Sequence, residues 1–205
     1  MKCTLCETNL HTMADAYYFV CDSCGAYVKD KKYYLSPEEE KARYLTHENN
    51  LDDAGYKKFT SPITEAILKN QNAEQLGLDY GCGTGPVISK QLRDKKFQVN
   101  LYDPFFRVNT SYLNHCYDYI FSCEVFEHFH KPKEEIEKLL GILKPGGRLY
   151  IMTHIYNSEI DFEGWYYRND PTHVFIYTFK TMAFIANTYN LKVEVMTDRL
   201  LIGRW

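Results

Sequence analysis

The segment LDYGCGTG, residues 78–85, restricts the fold of this chain more than any other feature. A strand pattern that includes Asp79 runs to Tyr80, glycines follow at three alternate positions, and a helix pattern begins at Pro86. Glycines lack Cβ atoms, so a ligand can pack directly on the backbone near the N-terminus of the following helix. The segment therefore predicts a strand-loop-helix unit that holds a ligand. Its G-x-G-x-G spacing differs from the G-x-G-x-x-G of dinucleotide-binding loops, and spacing alone is a weak signal.

Strand and helix patterns alternate through the second part of the chain. The periodicity predicts strands at 76–80, 97–102, 119–123, 148–153, 192–197 and 200–205, and helices at 62–73, 86–95, 133–143 and 179–189. This alternation predicts an α/β fold, a parallel sheet with helices on both faces and ligands at the carboxyl ends of the strands. A chain of 205 residues has room for one main domain and a small accessory.

Four of the seven cysteines form two C-x2-C pairs, CTLC and CDSC, separated by fourteen residues. Each pair aims two thiolates at one point, and two pairs complete the tetrahedral ligand set of structural zinc. Strand patterns on both sides of the second pair predict hairpins, so residues 1–35 are expected to form a zinc ribbon. Four cysteine ligands leave no open coordination position on the zinc, which favours a structural or docking role over dithiol redox chemistry. Cysteines that bind a metal rather than form disulfides indicate a reducing compartment. The predicted zinc ligands are Cys3, Cys6, Cys21 and Cys24.

Residues 36–60 are predicted to connect the ribbon to the main domain, 61–205. The motif SPEE has the capping-box pattern of a helix start, and a second Ser-Pro pair at Ser61 predicts the start of another helix. The polar segment between them, which includes NNLDDAGY, is predicted to be a loop. This loop and Tyr56 are expected to form a lid over the ligand pocket.

The composition is that of a folded protein, with 45% apolar and 25% charged residues. A net charge of -3 without a strongly basic run disfavours affinity based on phosphate neutralisation, although nucleic acid is not excluded. No apolar run reaches the roughly 20 residues that a bilayer requires, and the start MKCTLCETNL lacks the pattern of a secretory or transit segment. A cytoplasmic protein that does not act on membranes is expected.

An acidic residue follows the second predicted strand of the main domain. Asp103 lies eighteen residues beyond Gly85, at the carboxyl end of the strand that follows the glycine helix. A carboxylate in this position can accept hydrogen bonds from both hydroxyls of a ribose. The glycines and Asp103 together therefore indicate a nucleoside-containing cofactor.

Four motifs in this order, LDYGCGTG, VNLYDP, YDYIFSCEVFEHF and LLGILKPGGRLYIMTH, resemble those of class I S-adenosylmethionine-dependent methyltransferases. The resemblance covers about residues 60–205. It implies a Rossmann-like sheet of seven strands with a reversed final hairpin, S-adenosylmethionine as cofactor and methyl transfer as the reaction.

The resemblance also implies which residues meet the cofactor. The three glycines would approach the methionine half, Asp79 would orient toward its amino group, and Asp103 would hold the ribose. Cys82 is interpreted as a small filler, since nothing marks it as an activated thiolate. The candidate cofactor-binding residues are Asp79, Gly81, Cys82, Gly83, Thr84, Gly85, Asp103, Pro104, Phe105 and Glu124.

The sequence departs from the family pattern in one region. Only thirteen residues separate Asp103 from Tyr117, where the family usually has a helix, a third strand and an acidic residue near the adenine. So short a segment cannot hold all three. A truncated helix and a short or missing edge strand are predicted, with Phe105 and Phe106 covering the adenine.

Three histidines are candidates for the general base. His173 is the first choice, because small-molecule members of the family often carry a histidine before the last helix and an ordinary imidazole titrates near neutrality. An open alternative is a turn at 170–173 whose histidine bonds a buried carbonyl. His128, in the Glu-His pair after the fourth strand, is the second choice and His154 the third.

The segment 161–178 is rich in aromatic residues and is predicted to close over the methyl acceptor. The segment 122–130 lacks the Asp/Asn-Pro-Pro-Tyr signature of enzymes that methylate exocyclic amines of nucleic-acid bases, which makes such a substrate less favoured. The candidate substrate-binding residues are Trp165, Tyr166, Tyr167, Arg168, Asp170 and Tyr56.

Three functions are compatible with these patterns. The leading hypothesis is in-line methyl transfer to a small-molecule acceptor. The second is an RNA methyltransferase, because the layout is similar to that of zinc-ribbon enzymes that methylate a guanine of large-subunit ribosomal RNA. Against it, residues 1–35 carry four basic and four acidic side chains. The third is a non-catalytic binding module. The sequence leaves the acceptor and the oligomeric state open.

Overall fold

The computed structural model of the protein describes residues 1–46 and 50–205. The strands are β1 (Thr12–Met13), β2 (Tyr18–Val20), β3 (Tyr27–Lys29), β4 (Leu76–Tyr80), β5 (Gln98–Tyr102), β6 (Tyr117–Cys123), β7 (Leu143–Met152), β8 (Phe175–Ile176), β9 (Lys192–Met196) and β10 (Leu200–Arg204). The helices are α1 (Pro37–Leu45), α2 (Ala54–Asn70), α3 (Val87–Asp94), α4 (Pro132–Gly141), α5 (Tyr166–Asn169) and α6 (Phe179–Thr188).

The larger sheet has the order β5-β4-β6-β7-β10-β9 within the described residues. Its first four strands are parallel, and β10 runs antiparallel to both β7 and β9, which gives the reversed final hairpin that the resemblance implies. The segment between β5 and β6 is described throughout and contains no strand, only a short 3-10 helix at Thr110–Asn114. The prediction of a missing edge strand is therefore confirmed.

Helices cover both faces of this sheet because its side chains alternate. Tyr119 and Phe121 of β6 pack with Ile63 and Ile67 of α2 and with α3 on one face. Ile120, between them, packs on the opposite face with α4 and α6. Long apolar runs in the central strands are thus buried on both sides, as a parallel sheet requires.

Several predicted boundaries differ from the structure, and the largest difference is at the start of α2. Helix α2 begins at Ala54, not at Ser61, because the Asp53 side chain caps it and accepts a hydrogen bond from the Tyr56 backbone N–H. Pro62 lies inside this helix and lacks the N–H that would donate to the preceding turn. Packing of the buried face of α2 offsets this loss.

Two further differences lie at the end of α4 and the start of β7. Strand β7 begins at Leu143 rather than 148, because Leu143 pairs with Tyr117 before a register shift at the KPGG segment. Helix α4 consequently ends at Gly141. Residues 47–49 of the predicted polar loop, including Asn49 of NNLDDAGY, lie outside the described residues.

The N-terminal segment forms a second sheet that continues into the main domain. The order is β1-β2-β3-β8, all antiparallel, and β3 pairs with β8 from residues 175–176. The predicted hairpins are present, and Gly25 adopts a positive φ of 77° in the turn after Cys24. The ribbon is therefore joined to the rest of the chain by main-chain hydrogen bonds.

Within residues 1–46 and 50–205, none of the helices combines the length and the apolar content that crossing a membrane requires.

Candidate active site

The glycine loop, residues 81–85, lies at the carboxyl end of β4 and is held against β5. The backbone N–H groups of Gly81 and Cys82 both donate to the Tyr102 carbonyl, at 2.8 and 3.0 Å. Gly81 has a φ of 88°, and a Cβ there would overlap the Val125 side chain. Gly83 also has a positive φ, 58°. A side chain is therefore excluded at Gly81 by backbone conformation and close packing, and disfavoured at Gly83 by backbone conformation.

Asp103 fixes the other side of the same edge of the sheet. Its Oδ2 accepts a hydrogen bond from the Gly83 N–H at 2.9 Å, and its Oδ1 accepts from the N–H groups of Phe105 and Phe106 at 2.8 and 3.0 Å. A carboxylate offers about four acceptor positions, and these N–H groups use both positions of Oδ1 and one of Oδ2, so capacity for a ligand hydroxyl remains chiefly on Oδ2. The carboxylate is thus oriented by the backbone before any ligand binds.

One cavity of about 560 Å³ joins this edge of the sheet to the histidines. Residues 81–84 and 103–106 line one end, and Glu124, His128 and His173 line the other. Tyr44 of α1 and Tyr56 and Phe59 of α2 form part of the wall between them. The volume is in the range of pockets that hold cofactors and small molecules.

His128 and His173 lie against each other, with ring centroids 4.7 Å apart. Each ring lies with its Nδ1 near a main-chain carbonyl, that of Thr172 for His128 at 3.1 Å and that of Tyr167 for His173 at 2.6 Å. Burial, followed by the neighbouring His128, lowers the pKa of His173 to about 3. His173 is therefore a neutral imidazole at physiological pH.

Two carboxyl groups are buried beside these rings. Glu127 is fully buried, and its Oε2 accepts a hydrogen bond from the Thr153 hydroxyl at 2.9 Å. Glu124 has a φ of 54°, unusual for a residue with a side chain, and burial followed by the Glu127 charge raises its pKa well above the ordinary range. Burial therefore favours the uncharged, protonated form of the Glu124 carboxyl.

The four ribbon cysteines converge on one point. The Sγ atoms of Cys3 and Cys24 are 3.6 Å apart, those of Cys6 and Cys21 are 3.4 Å apart, and all four lie within 4.8 Å of one another. Sulfur ligands of a tetrahedral zinc ion at about 2.3 Å lie about 3.8 Å apart, so this four-cysteine cluster fits zinc.

A sequence model for a family described as a methyltransferase domain matches residues 53–195, which is more than half of the chain. The chain belongs to this methyltransferase family. The sheet order and the glycine loop at the carboxyl end of β4 agree with the class I S-adenosylmethionine-dependent fold, so the resemblance is confirmed at the level of the fold. A search of curated protein sequences found no match.

Solved structures share the fold of this methyltransferase. The 1,6-didemethyltoxoflavin-N1-methyltransferase of Burkholderia thailandensis, with bound 1,6-didemethyltoxoflavin and S-adenosylhomocysteine, is 14% identical with a TM-score of 0.57, over 96% of this chain and 99% of that one. A SAM-dependent methyltransferase of Aquifex aeolicus is 16% identical, with a TM-score of 0.53 over 80% and 96%.

An O-methyltransferase family protein of Burkholderia thailandensis is 15% identical, with a TM-score of 0.55 over 80% of this chain. The methyltransferase described here spans 62% of that protein's length. At these identities the likeness concerns the fold.

The structure brings about half of the predicted site residues to the cavity of the methyltransferase. Those that line it are Gly81, Cys82, Gly83, Thr84, Asp103, Pro104, Phe105, Glu124, Tyr56, His128 and His173. Burial raises the pKa of the Cys82 thiol to about 12, in agreement with its interpretation as a filler.

Asp79 and Gly85 do not line the cavity. Asp79 is buried behind the glycine loop, where its Oδ2 accepts a hydrogen bond from the Ser89 hydroxyl at 2.6 Å. Burial raises the pKa of Asp79 to about 7. Its charge therefore depends on what binds in front of the loop.

His154 lies at the end of β7, outside the cavity lining. Its ring packs against Trp165, and its Nδ1 is 3.2 Å from the Tyr166 hydroxyl. Burial, followed by the Arg199 charge, lowers its pKa to about 4. The ring belongs to the aromatic segment rather than to the cofactor pocket.

The predicted acceptor wall at 161–178 contacts the ribbon and does not line the cavity, apart from His173. Trp165 and Tyr167 pack with Tyr18 of β2 in one apolar cluster. Arg168 Nε donates to Asp15 of the ribbon at 2.8 Å, and Asp170 accepts from Arg43 of α1 at 2.7 Å. Trp165, Tyr167 and Arg168 are therefore engaged with the ribbon, whereas Asp170 is paired with α1.

Sequence reasoning missed a contribution of α1 to the cavity. Glu40 and Tyr44 both line it, Glu40 bonds His130 at 2.8 Å, and the Tyr44 ring packs on His128 and Phe105. Their i, i+4 spacing places them on one face of the helix that the capping box predicts, which is the signal that could have found them.

Proposed function

We propose that this methyltransferase transfers the methyl group of S-adenosylmethionine to a small-molecule acceptor by in-line displacement. The observation that carries the proposal is the single cavity, because it joins the glycine loop and Asp103 to the histidine end. The Burkholderia toxoflavin enzyme, which matches nearly the whole length of both chains, is described as bound to a small heterocycle and S-adenosylhomocysteine. That description supports an acceptor of this size class.

The cofactor would lie with its adenosine toward 103–106 and its methionine along the glycine loop. Asp103 would accept hydrogen bonds from the ribose hydroxyls, and Phe105 would cover the adenine. Asp79, behind the loop, would attract the ammonium group of the methionine. The positive charge of the ammonium would in turn stabilise the carboxylate form of Asp79. This orientation directs the sulfonium methyl toward Glu124, His128 and His173.

In-line transfer asks little more of the protein than alignment and removal of a proton. The acceptor's lone pair forms the new bond to the methyl carbon, the S–C bond breaks, and its electron pair remains on sulfur. The acceptor proton leaves to a base, for which His173 is the first choice and His128 the second. Because the pKa of His173 is lowered to about 3, it accepts a proton efficiently only from an acidified acceptor.

Two features favour a small molecule over RNA. The ribbon is neutral by count, and its Tyr18 and Tyr27 rings pack against Phe162, so these two rings are not available to stack on bases. The zinc in the ribbon would be structural, since its four ligands are all protein thiolates.

The test is formation of S-adenosylhomocysteine by the full chain. The protein is incubated with S-adenosylmethionine and either an ultrafiltered metabolite extract or total RNA, each with and without ribonuclease, and the product is measured by mass spectrometry. Product from the metabolite extract that resists ribonuclease is expected. Product only from intact RNA would replace this proposal with the RNA hypothesis. Tight cofactor binding with no product from either source would favour the non-catalytic module.

A further inference from the structure

Three side chains at the acceptor end of the cavity point their free polar atoms at one another. Glu127 Oε1 is 4.0 Å from the Nε2 of His128 and 4.0 Å from the Nε2 of His173. The three atoms all lie within 4.8 Å of one another. We refer to these residues as the Glu-His-His cluster.

The hydrogen bonds of the cluster leave these atoms without a donor. A carbonyl can only accept, so both Nδ1 atoms must carry protons to bond Thr172 and Tyr167. With this proton on Nδ1, each Nε2 is free to offer a lone pair. Glu127 Oε1 is fully buried and has no hydrogen-bond partner among the described residues. Three acceptors thus converge on one point, and a buried arrangement of this kind is costly unless a cation occupies it.

We propose that Glu127, His128 and His173 bind a divalent metal ion whose open coordination positions face the cavity. Ligand atoms about 2.1 Å from a metal lie roughly 3.0–3.4 Å apart, so movements of about 1 Å would close the set. One carboxylate and two imidazoles suit Mn²⁺, Fe²⁺, Co²⁺ or Zn²⁺ better than Mg²⁺ or Ca²⁺, which prefer oxygen ligands.

The groups around the cluster are those that metal ligands require. Main-chain carbonyls fix the tautomer of both histidines, and the Thr153 hydroxyl orients the second oxygen of Glu127 at 2.9 Å. His128 and His173 line the cavity, whereas Glu127 lies behind them. The metal would therefore bind from the cavity side and keep positions open for water or for an oxygen or nitrogen of the acceptor. Metal binding and proton removal are alternative roles for His173, because both use the lone pair on Nε2.

The ribbon contributes to this site through the loop that carries His173. The Tyr18 hydroxyl donates to the His173 carbonyl at 2.6 Å, and Lys29 Nζ donates to the Pro171 carbonyl at 2.8 Å. Two ribbon side chains thereby hold the loop through its main-chain carbonyls. A structural role for the ribbon follows, because it fixes one ligand of the proposed site.

The metal site is tested on the full chain, with its ribbon loaded with zinc. Mn²⁺ is added in steps, and the bound fraction is measured by electron paramagnetic resonance. One Mn²⁺ per chain is expected. Glu127→Gln, which keeps an acceptor for Thr153, and His128→Asn are each expected to weaken Mn²⁺ binding by about 100-fold or more. His130→Asn alters a histidine of the same cavity outside the cluster and should bind Mn²⁺ as the parent does.

Misfolding is separated from ligand loss by two further measurements on each variant, zinc content and calorimetric affinity for S-adenosylhomocysteine. Both should match those of the parent protein. Absence of bound Mn²⁺ in the parent, or unchanged Mn²⁺ affinity in both Glu127→Gln and His128→Asn, would overturn the site. The readout does not depend on the acceptor, so the proposal can fail while the proposed function stands, and the reverse.

Discussion

The four-cysteine cluster and the Glu-His-His cluster differ in how many ligands the protein supplies and in what lies beside them. Four thiolates enclose the first within the ribbon, and no position remains for a substrate. Three ligands form the second, and two of them line a cavity of about 560 Å³. Metal-binding residues alone therefore do not distinguish a structural site from a reactive one. The distinction depends on how many ligands the protein supplies and on whether the remaining coordination positions face a cavity.

The two clusters are nevertheless linked by a short path. Strand β3 pairs with β8, which follows His173 by two residues, and Tyr18 bonds the His173 carbonyl. The aromatic segment that covers this junction is packed on the ribbon. Folding of the closed site is therefore expected to support the geometry of the open one.

Loss of one thiolate should have the largest effect on this comparison. Cys21→Ala leaves three ligands, and the ribbon should lose its zinc and unfold, since a structural zinc contributes on the order of 10 kcal/mol to such small folds. Zinc content and thermal unfolding measure the change. Cys116→Ala, at an exposed cysteine, should retain both values. Full zinc occupancy in Cys21→Ala would contradict the four-ligand assignment.

Asp79 is a buried carboxyl group outside both clusters. Its contribution to the free energy of unfolding should therefore depend on pH and not on added metal. Burial raises its pKa to about 7 from an ordinary 3.8. The folded state then binds more protons than the unfolded chain between these values, so the free energy of unfolding should fall as pH rises through this window. For the ligand-free protein the loss is about 2–4 kcal/mol.

Urea unfolding of the ligand-free protein at about pH 5 and about pH 8 measures this dependence. Asp79→Asn carries no titrating carboxyl at this position and should remove that part of the slope. Added Mn²⁺ should not alter it. An identical slope in the parent and in Asp79→Asn would show that the carboxyl is not the group responsible.

A variant at Asp103 tests the cofactor site separately from the Glu-His-His cluster. Asp103→Ala should weaken binding of S-adenosylhomocysteine by about 1–3 kcal/mol through loss of hydrogen bonds to the ribose. Its zinc and Mn²⁺ contents should remain those of the parent. Calorimetry provides the affinity, with the exposed Asp94→Ala as the control. Equal affinities in parent and Asp103→Ala would remove Asp103 from the cofactor site.

The smallest expected effect concerns the link between the clusters. Tyr18→Phe removes the hydrogen bond to the His173 carbonyl and should weaken Mn²⁺ binding by about fivefold, equivalent to about 1 kcal/mol. Zinc content should not change, because Tyr18 is not a ligand. Tyr17→Phe, at the exposed neighbour, is the matched control. Unchanged Mn²⁺ affinity in Tyr18→Phe would show that the ribbon and the open site are independent.

The sequence predicts those features that short-range spacing determines. Two C-x2-C pairs, the glycine loop and Asp103 each depend on residues near in sequence or on the carboxyl ends of adjacent strands, and the structure has all of them in the expected arrangement. The thirteen residues after Asp103 are too few for a third strand, and this prediction succeeds because chain length alone sets the limit.

The features that escape prediction depend on contacts between distant residues. Docking of the ribbon on the segment 161–178 joins parts of the chain about 150 residues apart, and nothing in that aromatic run distinguishes a substrate wall from a packing surface. The predicted start of α2 is too late because the Ser-Pro pair at 61 is a frequent start signal, whereas Asp53 lies in a polar segment that has the pattern of a loop. Tertiary packing decides the first case, and a local cap decides the second.

The central claim is that one cavity holds S-adenosylmethionine with its methyl directed at the Glu-His-His cluster. A crystal structure with bound S-adenosylhomocysteine tests it most directly. The expected result is difference density with the ribose hydroxyls on Asp103, the methionine chain along the glycine loop and the sulfur facing His128 and His173. Density in which the ribose lies away from Asp103, or the sulfur is turned from the histidines, would contradict the account.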